Sequence, residues 1–289
     1  MIDPDAPRLV AVLGRGVVPA GAAVVAGDDL GLTRGDGCFD ATRLVVAPDG
    51  SARIDHLDAH LARFARSAAA LDLPAVDERV WRALIDEAVT AWATSGEAVL
   101  RVILTRGREA TPNGPVTGVL TIAPLDPAAI AARNGITVVT LDRGHASDAF
   151  NDVAWLLGGV KTLSYAVNVA AGREAARRGA DDALFVSSDG FALEAPRSAL
   201  VWRRGEALRT TRREGTGILA SVTQAAAFER GAADGVDVAD DLIAVSDLYA
   251  VDGAWLVSAG RGVAPIHTLD GRPLPDDTRW TARLRTWAG

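Results

Sequence analysis

A chain of 289 residues, 49% hydrophobic and carrying a formal net charge of −7, has room for two domains with cores of their own. The acidic balance argues against general nucleic-acid binding, which needs a clustered basic surface, and no apolar run is long enough to span a bilayer. Cys38 is the only cysteine, so no internal disulfide can form. The acidic start MIDPDAPRLV lacks the pattern of a signal peptide, and the chain reads as cytoplasmic.

In chain order, RLVAVLG (8–14) and AAVVAGDD (22–29) read as short strands. The turn GDG (35–37) leads into the alternating strand CFDATRLVV (38–46), and PDG (48–50) turns the chain back. Residues 56–73 form an amphipathic helix with Leu57, Leu61, Phe64, Ala68 and Leu71 on one stripe; residues 77–93 form a second. Strands 98–107 and 117–123 close this first block. Two prolines and Asn-Gly mark 124–135 as a linker between a domain at 1–123 and a larger one at 136–289 that carries Lys161.

The second block opens with a strand at 136–141 and a helix at 162–178 stopped by Gly179. Hairpins follow around Asp189-Gly190 and Arg204-Gly205. Helices at 222–233 and 240–248, strands at 254–259 and 262–266 and a closing helix near 276–287 complete it. Strands preceding helices in two blocks indicate two α+β domains rather than a doubly wound sheet, and no GxGxxG or Walker pattern joins a strand to a helix.

His56 and His60 have a spacing that can chelate a metal, but no HExxH pattern or nearby carboxylate completes a site. The arginine-dense RTTRREG (209–215) reads as solvated surface. The basic residues are nevertheless informative. Of 30, one is lysine, Lys161. Arginine matches lysine in ion pairing but stays protonated and cannot serve as an amine nucleophile, so a lone lysine is a candidate for amine chemistry. A surface lysine is the alternative. The apolar, Gly-containing setting AWLLGGVKTLSYAV favours a desolvated amine, whose pKa burial would lower.

Six segments then follow one another: GDGCFDATR, HLARFARSA, VKTLSYAVN, GADDALFVSSDGFALEAPRSA, GILASVTQAA and VSAGRGVAPI. In this order they resemble the class IV aminotransferases, the fold-type IV enzymes of pyridoxal 5′-phosphate (PLP). That family includes branched-chain and D-amino-acid aminotransferases, (R)-amine transaminases and 4-amino-4-deoxychorismate lyase. The resemblance runs from about Gly31 to Asp270 and implies the two-domain α+β fold of D-amino-acid aminotransferase, with PLP as cofactor.

Residue by residue, the resemblance implies that Lys161 holds PLP as a Schiff base and shuttles the proton, and that Glu194 pairs with the pyridine nitrogen. It implies that Arg63 binds the phosphate, joined by Val222 and Thr223 at a helix start and by Ser258 and Ala259 in a second turn. Leu219 would pack on the ring face and Tyr165 would reach the ring hydroxyl. Local sequence alone would read Glu194 as a strand glutamate, Arg63 as a solvated helical arginine and Leu219 as core. Two departures stand out. Many members have threonine at the position of Ala259, and the family's Glu-Gly-x-x-Ser-Asn is here Glu194-Ala195-Pro196-Arg197-Ser198-Ala199.

Cys38 and Asp40 in GDGCFDATR resemble the lyase form of that motif more than the transaminase form GDGxFExxR. The expected reaction is therefore release of pyruvate from 4-amino-4-deoxychorismate to give 4-aminobenzoate, in folate biosynthesis. Transamination of D-amino acids, branched-chain amino acids or (R)-amines with a 2-oxo acid is the alternative. Arg101, Arg106 and Arg261 are candidate cations for a small anionic substrate, each with a surface role as the competing reading. The family also implies a homodimer whose active site borrows residues from the partner. A binding protein descended from such enzymes is disfavoured by the presence of Lys161, Glu194 and Arg63.

Overall fold

In the computed structural model, which describes residues 7–289, the chain divides into two units. One reaches to Asp126 and takes back Val160–Ser164; the other comprises Pro127–Gly159 and Tyr165–Gly289. The first unit is built from β1 (Leu9–Val12), β2 (Gly16–Val18), α1 (Leu30–Arg34), β3 (Gly37–Val46), β4 (Ala52–Ile54), α2 (Leu57–Ala70), α3 (Glu78–Ala91), β5 (Gly96–Thr105) and β6 (Thr117–Pro124). Its strands form one antiparallel sheet in the order β2-β1-β6-β5-β3-β4.

Period-two alternation decides which way β3 faces. Cys38, Asp40, Thr42, Leu44 and Val46 are buried on one side, where Leu61 and Phe64 of α2 and Trp81, Leu84 and Ile85 of α3 complete the core. Phe64 and Trp81 meet edge to face with ring centroids 5.2 Å apart. Phe39 and Ala41 take the opposite side of the strand.

The segment expected as a strand at 22–29 forms turns instead. Asp29 caps α1, accepting from the Gly31 N–H, and its fully buried carboxylate also accepts from the hydroxyls of Thr105 and Thr117. A capping carboxylate with three donors outcompetes a strand that would have had no partner.

The second unit contains α4 (Pro127–Ala131), β7 (Ile136–Asp142), α5 (Ala166–Arg177), β8 (Asp182–Val186), β9 (Glu194–Ala195), β10 (Ser198–Arg204), β11 (Ala207–Thr211), α6 (Val222–Ala233), β12 (Asp237–Asp241), β13 (Gly253–Ser258), β14 (Gly262–Leu269), β15 (Arg272–Pro273) and α7 (Thr278–Ala288). Its mixed sheet runs β12-β11-β10-β13-β14-β7-β8, with β9 added to β10 and β15 to β14. Helices α6 and α7 bury Phe228, Trp280 and Trp287 against Val201, Trp255 and Val257, and α5 packs Ala171 and Ala175 on Ala183 and Phe185. No helix among the described residues is long and apolar enough to cross a membrane.

Two expectations change here. The expected helix at 240–248 is replaced by β12, parallel to β11, and a 3-10 turn at Val245–Ala250. Exposed Asp237, Asp240 and Asp241 suit β12 to a sheet edge, where charge discourages further pairing. The hairpin expected at Asp189-Gly190 forms, its arms joined by the Val186–Ala192 bridge and by the Ser187 and Leu193 N–H groups donating to the Phe191 and Phe185 carbonyls, and β9 then continues onto β10. Helix α5 starts at Ala166 rather than 162, because Val160–Ser164 runs alongside β3. Lys161 therefore belongs with the N-terminal unit and not with the larger C-terminal domain expected to carry it.

Candidate active site

Lys161 is placed by backbone pairing. Its carbonyl accepts from the Phe39 N–H at 3.0 Å, Leu163 N–H donates to the Gly37 carbonyl at 2.9 Å, and Cys38 bridges Thr162. The GDG turn makes this approach possible. A Cβ on Gly37 would stand 2.5 Å from the Leu104 carbonyl oxygen and 2.8 Å from Leu163 Cδ1, so only glycine fits. Ser67 of α2 adds a side-chain tether, its Oγ accepting from the Lys161 N–H at 3.2 Å.

The Lys161 Nζ then rests 4.5 Å from the centroid of the Phe39 ring, and the exposed Arg101 guanidinium stands 6.0 Å from the same ring. Register explains the neighbours: Arg101 of β5 lies opposite Ala41, two residues past Phe39 and on the same side of β3. A cation near an aromatic ring is attracted electrostatically by the ring quadrupole.

Arg63 is not the solvated arginine its local sequence suggests. It is 6% exposed, and its Nε and Nη2 each donate to Asp40 at 2.7 Å, a bidentate pair within the unit. His60, one turn earlier on α2, contributes its Nδ1 to Asp40 Oδ1 at 2.8 Å. Burial alone would push the Asp40 carboxyl up, but the hydrogen bonds from Arg63 and His60 outweigh it and hold the group down at about 2. Burial lowers His60 against the upward pull of Asp40, so the neutral ring carries its proton on Nδ1; Nε2 has no partner among the described residues.

The second unit gathers a different set. Glu194 of β9 accepts from the Leu219 N–H at 3.2 Å, and three residues beyond Leu219 α6 begins, with Ser221 as its N-cap. Val222 and Thr223 are buried in its first turn, where N–H groups lack intrahelical partners and favour an anion. Sheet register aligns Glu194, Ala199 and Val257 across three strands, and Ser258 and Ala259 follow Val257 directly. Taken unit by unit, the chemistry of the donors suits PLP: the first unit holds an amine and a fixed arginine, and the second holds a carboxylate beside backbone donors at a helix start.

Other candidates are placed differently. Tyr165 donates its hydroxyl proton to the Pro196 carbonyl at 2.8 Å, where the Asn168 amide joins it at 2.7 Å, so the atypical 195–198 turn is pinned to the start of α5. Arg106 pairs with Asp36 at 2.6 Å and caps α2 through the Leu71 and Asp72 carbonyls. Arg261 pairs with buried Asp182 at 2.8 Å and is itself largely enclosed. Both guanidiniums make ion pairs within the fold. Phe39 and Ser67 were missed by sequence reasoning, although both lie within the quoted motifs; their signal was position beside Lys161, which only pairing reveals.

Comparison with known proteins shows the family. The family model for amino-transferase class IV matches residues 37–269. A bifunctional aminodeoxychorismate lyase / D-amino acid transaminase of Mycobacterium tuberculosis is 38% identical over 282 residues, 92% of this chain and 93% of that protein. The chain belongs to the class IV aminotransferases. The family depends on PLP. A hypothetical aminotransferase from M. tuberculosis in its PLP-bound form superposes with a TM-score of 0.90 at 38% identity, covering 98% of both chains. A fold IV-transaminase from Curtobacterium pusillum gives 0.88 at 39% identity over 97% of both.

The Asp40 network has a pH signature. A carboxyl depressed in the folded state stabilises it above the unfolded value of 3.8 and loses that contribution as pH falls toward about 2. The loss is on the order of 2 kcal/mol. In urea unfolding of wild type and Asp40→Asn, the stability gap should be widest above pH 5 and narrow steadily between pH 4 and 2. A gap independent of pH would mean that Asp40 is not ionised in the folded protein.

Proposed function

We propose that this class IV aminotransferase relative is a PLP-dependent 4-amino-4-deoxychorismate lyase, releasing pyruvate and leaving 4-aminobenzoate. The observation that carries the reading is the shared Phe39 ring, which the only lysine and an exposed arginine both approach. An amine for the cofactor beside a cation for a carboxylate suits a small anionic substrate. The lyase-like GDGCFDATR motif and the bifunctional M. tuberculosis relative support the same choice. The single cysteine, buried and unoxidised, suits a cytoplasmic setting.

Bound PLP supplies an electron sink for the pair left when a C–H bond breaks. Lys161 Nζ anchors it, then takes the proton from the substrate carbon and returns it where the product needs it. Glu194 keeps a proton on the ring nitrogen. Arg63, the N–H groups of Val222 and Thr223, the Thr223 hydroxyl, Ser258 and the Ala259 backbone hold the phosphate. Leu219 covers the ring face, and Tyr165, its proton spent on Pro196, can only accept from the ring hydroxyl. In the lyase reaction the bond from the ring carbon to the enolpyruvyl oxygen breaks, and aromatisation drives the departure.

D-amino-acid transamination is the second reading, favoured by the double activity in the relative's name. Purified protein should be yellow, with the visible band lost in Lys161→Ala. Incubated with aminodeoxychorismate and no amino acceptor, it should yield pyruvate and 4-aminobenzoate in equal amounts. Neither product, together with D-amino acids converting the cofactor to its pyridoxamine form, would overturn the lyase in favour of the transaminase. Arg101→Leu should raise KM roughly 10- to 100-fold while changing kcat less, as loss of one charge-assisted contact does. An unchanged KM would remove Arg101 from substrate binding.

The reading includes a homodimer. In the second unit Trp155, Leu156, Val167 and Val169 are 74%, 51%, 52% and 50% exposed, and Val167 and Val169 point to different sides of the first turns of α5. Helix sides that are apolar and uncovered together fit burial by a second copy. Light scattering should return twice the chain mass, and Trp155→Glu should shift it toward the monomer; a monomeric wild type at micromolar concentration would refute the dimer.

A further inference from the structure

The Asp40 carboxylate is held by four hydrogen bonds. Its Oδ1 accepts from the Ala41 N–H at 2.7 Å, from His60 Nδ1 at 2.8 Å and from Arg63 Nη2 at 2.7 Å, and its Oδ2 accepts from Arg63 Nε at 2.7 Å. Three donors converge on Oδ1 and one on Oδ2, so the carboxylate is held at both oxygens and cannot swing. It is 1% exposed and sits on β3, which is paired on both sides by β4 and β5. Everything about Asp40 makes it a rigid mount for something else.

What it mounts is Arg63. A bidentate contact through Nε and one Nη fixes the guanidinium plane as well as its position, which a single hydrogen bond would not do. Two explanations of such a pair make opposite forecasts. If Asp40 only compensates the buried arginine's charge, removing it leaves a bare cation and phosphate binds more tightly. If Asp40 holds the guanidinium in its binding pose, removing it makes Arg63 pay the ordering entropy on ligation, and phosphate binds more weakly.

We infer that Asp40, itself braced by His60, is the positioning residue that presents Arg63 to the phosphate of PLP. The inference rests on the reading of Arg63 as a phosphate ligand. It gives functions to two residues outside the chemistry: His60 is a brace rather than a metal ligand, and Asp40 acts through Arg63 rather than on substrate. Geometry favours positioning over compensation because a counter-ion needs only proximity, whereas this carboxylate is pinned at both oxygens by partners from the strand and from α2.

The test compares two ligands that differ only in the phosphate, PLP and pyridoxal, titrated into full-length protein resolved of its cofactor, with bound ligand read from the visible band and tryptophan quenching. Asp40→Asn should weaken PLP roughly three- to tenfold, the cost of ordering one long side chain, and leave pyridoxal within about twofold. In an Arg63→Gln background the same substitution should add nothing. Unchanged or tighter PLP binding by Asp40→Asn overturns positioning, and so does equal loss of both ligands. Should Asp40→Asn fail to fold by circular dichroism, His60→Gln decides: a loss of PLP affinity of about twofold or more without loss for pyridoxal supports the inference, and no selectivity overturns it. If Arg63→Gln leaves the PLP-to-pyridoxal ratio at the wild-type value, the Arg63 reading falls and takes the inference with it. An Arg63→Gln that lowers the ratio while Asp40→Asn does not refutes the inference alone.

Discussion

Pairing of Val160–Ser164 with the opening residues of β3 governs the placement of everything else in the first unit's site. Two backbone hydrogen bonds, Phe39 to Lys161 and Leu163 to Gly37, bring a segment more than a hundred residues away in sequence against the turn GDG. Once that segment is down, the Lys161 side chain has the Phe39 ring beneath it and the Ser67 hydroxyl at its backbone. The requirement reaches back to Gly37, where any Cβ would collide with Leu104 and Leu163. The glycine that looks like turn punctuation is therefore a packing requirement imposed by the lysine segment.

Helix α2 pays a second price for the site. His60, Arg63 and Ser67 are buried on its core side among Leu61, Phe64 and Ala68. Breaking a buried pair such as Arg63–Asp40 by removing one partner costs about 3–5 kcal/mol, while an apolar pair of the same shape is often neutral or better. A stability argument alone would not keep these three residues there. They remain satisfied because β3 supplies Asp40 and the lysine segment supplies a backbone donor, so folding and the polar face depend on each other.

Local periodicity was legible. Helices α2, α3, α6 and α7 and strands β3, β5, β6, β7, β13 and β14 lie within a few residues of where their apolar spacing puts them. The failures share one cause: the segment's partner lay far away in sequence. Residues 162–164 read as helical because Leu163 and its neighbours suit the continuing α5 pattern, and only pairing with β3 takes them out of it. Residues 237–241 become a strand because β11 offers an edge. The ion pairs of Arg106 and Arg261 were equally hidden, since nothing near them in sequence announces Asp36, the α2 carbonyls or Asp182. Arg63 was singled out by its place in the family pattern, but Asp40 and His60 were read separately, one as a subfamily mark and the other as an incomplete metal site.

The placement of the arginines bears on the reaction. In a chain with one lysine, every other cation is a guanidinium, permanently charged and well suited to structural pairs. Arg63, Arg106 and Arg261 each meet a carboxylate of the fold at 2.6–2.8 Å. Arg101 is exposed, and one of its contacts is with the Phe39 ring, 6.0 Å from the guanidinium, a soft interaction worth roughly 0.5–2 kcal/mol. Under the proposed lyase and transaminase readings alike the substrate carries a carboxylate, so an exposed guanidinium sharing the Phe39 ring with Lys161 would serve either, and the two reactions would part at the atom to which Lys161 returns its proton.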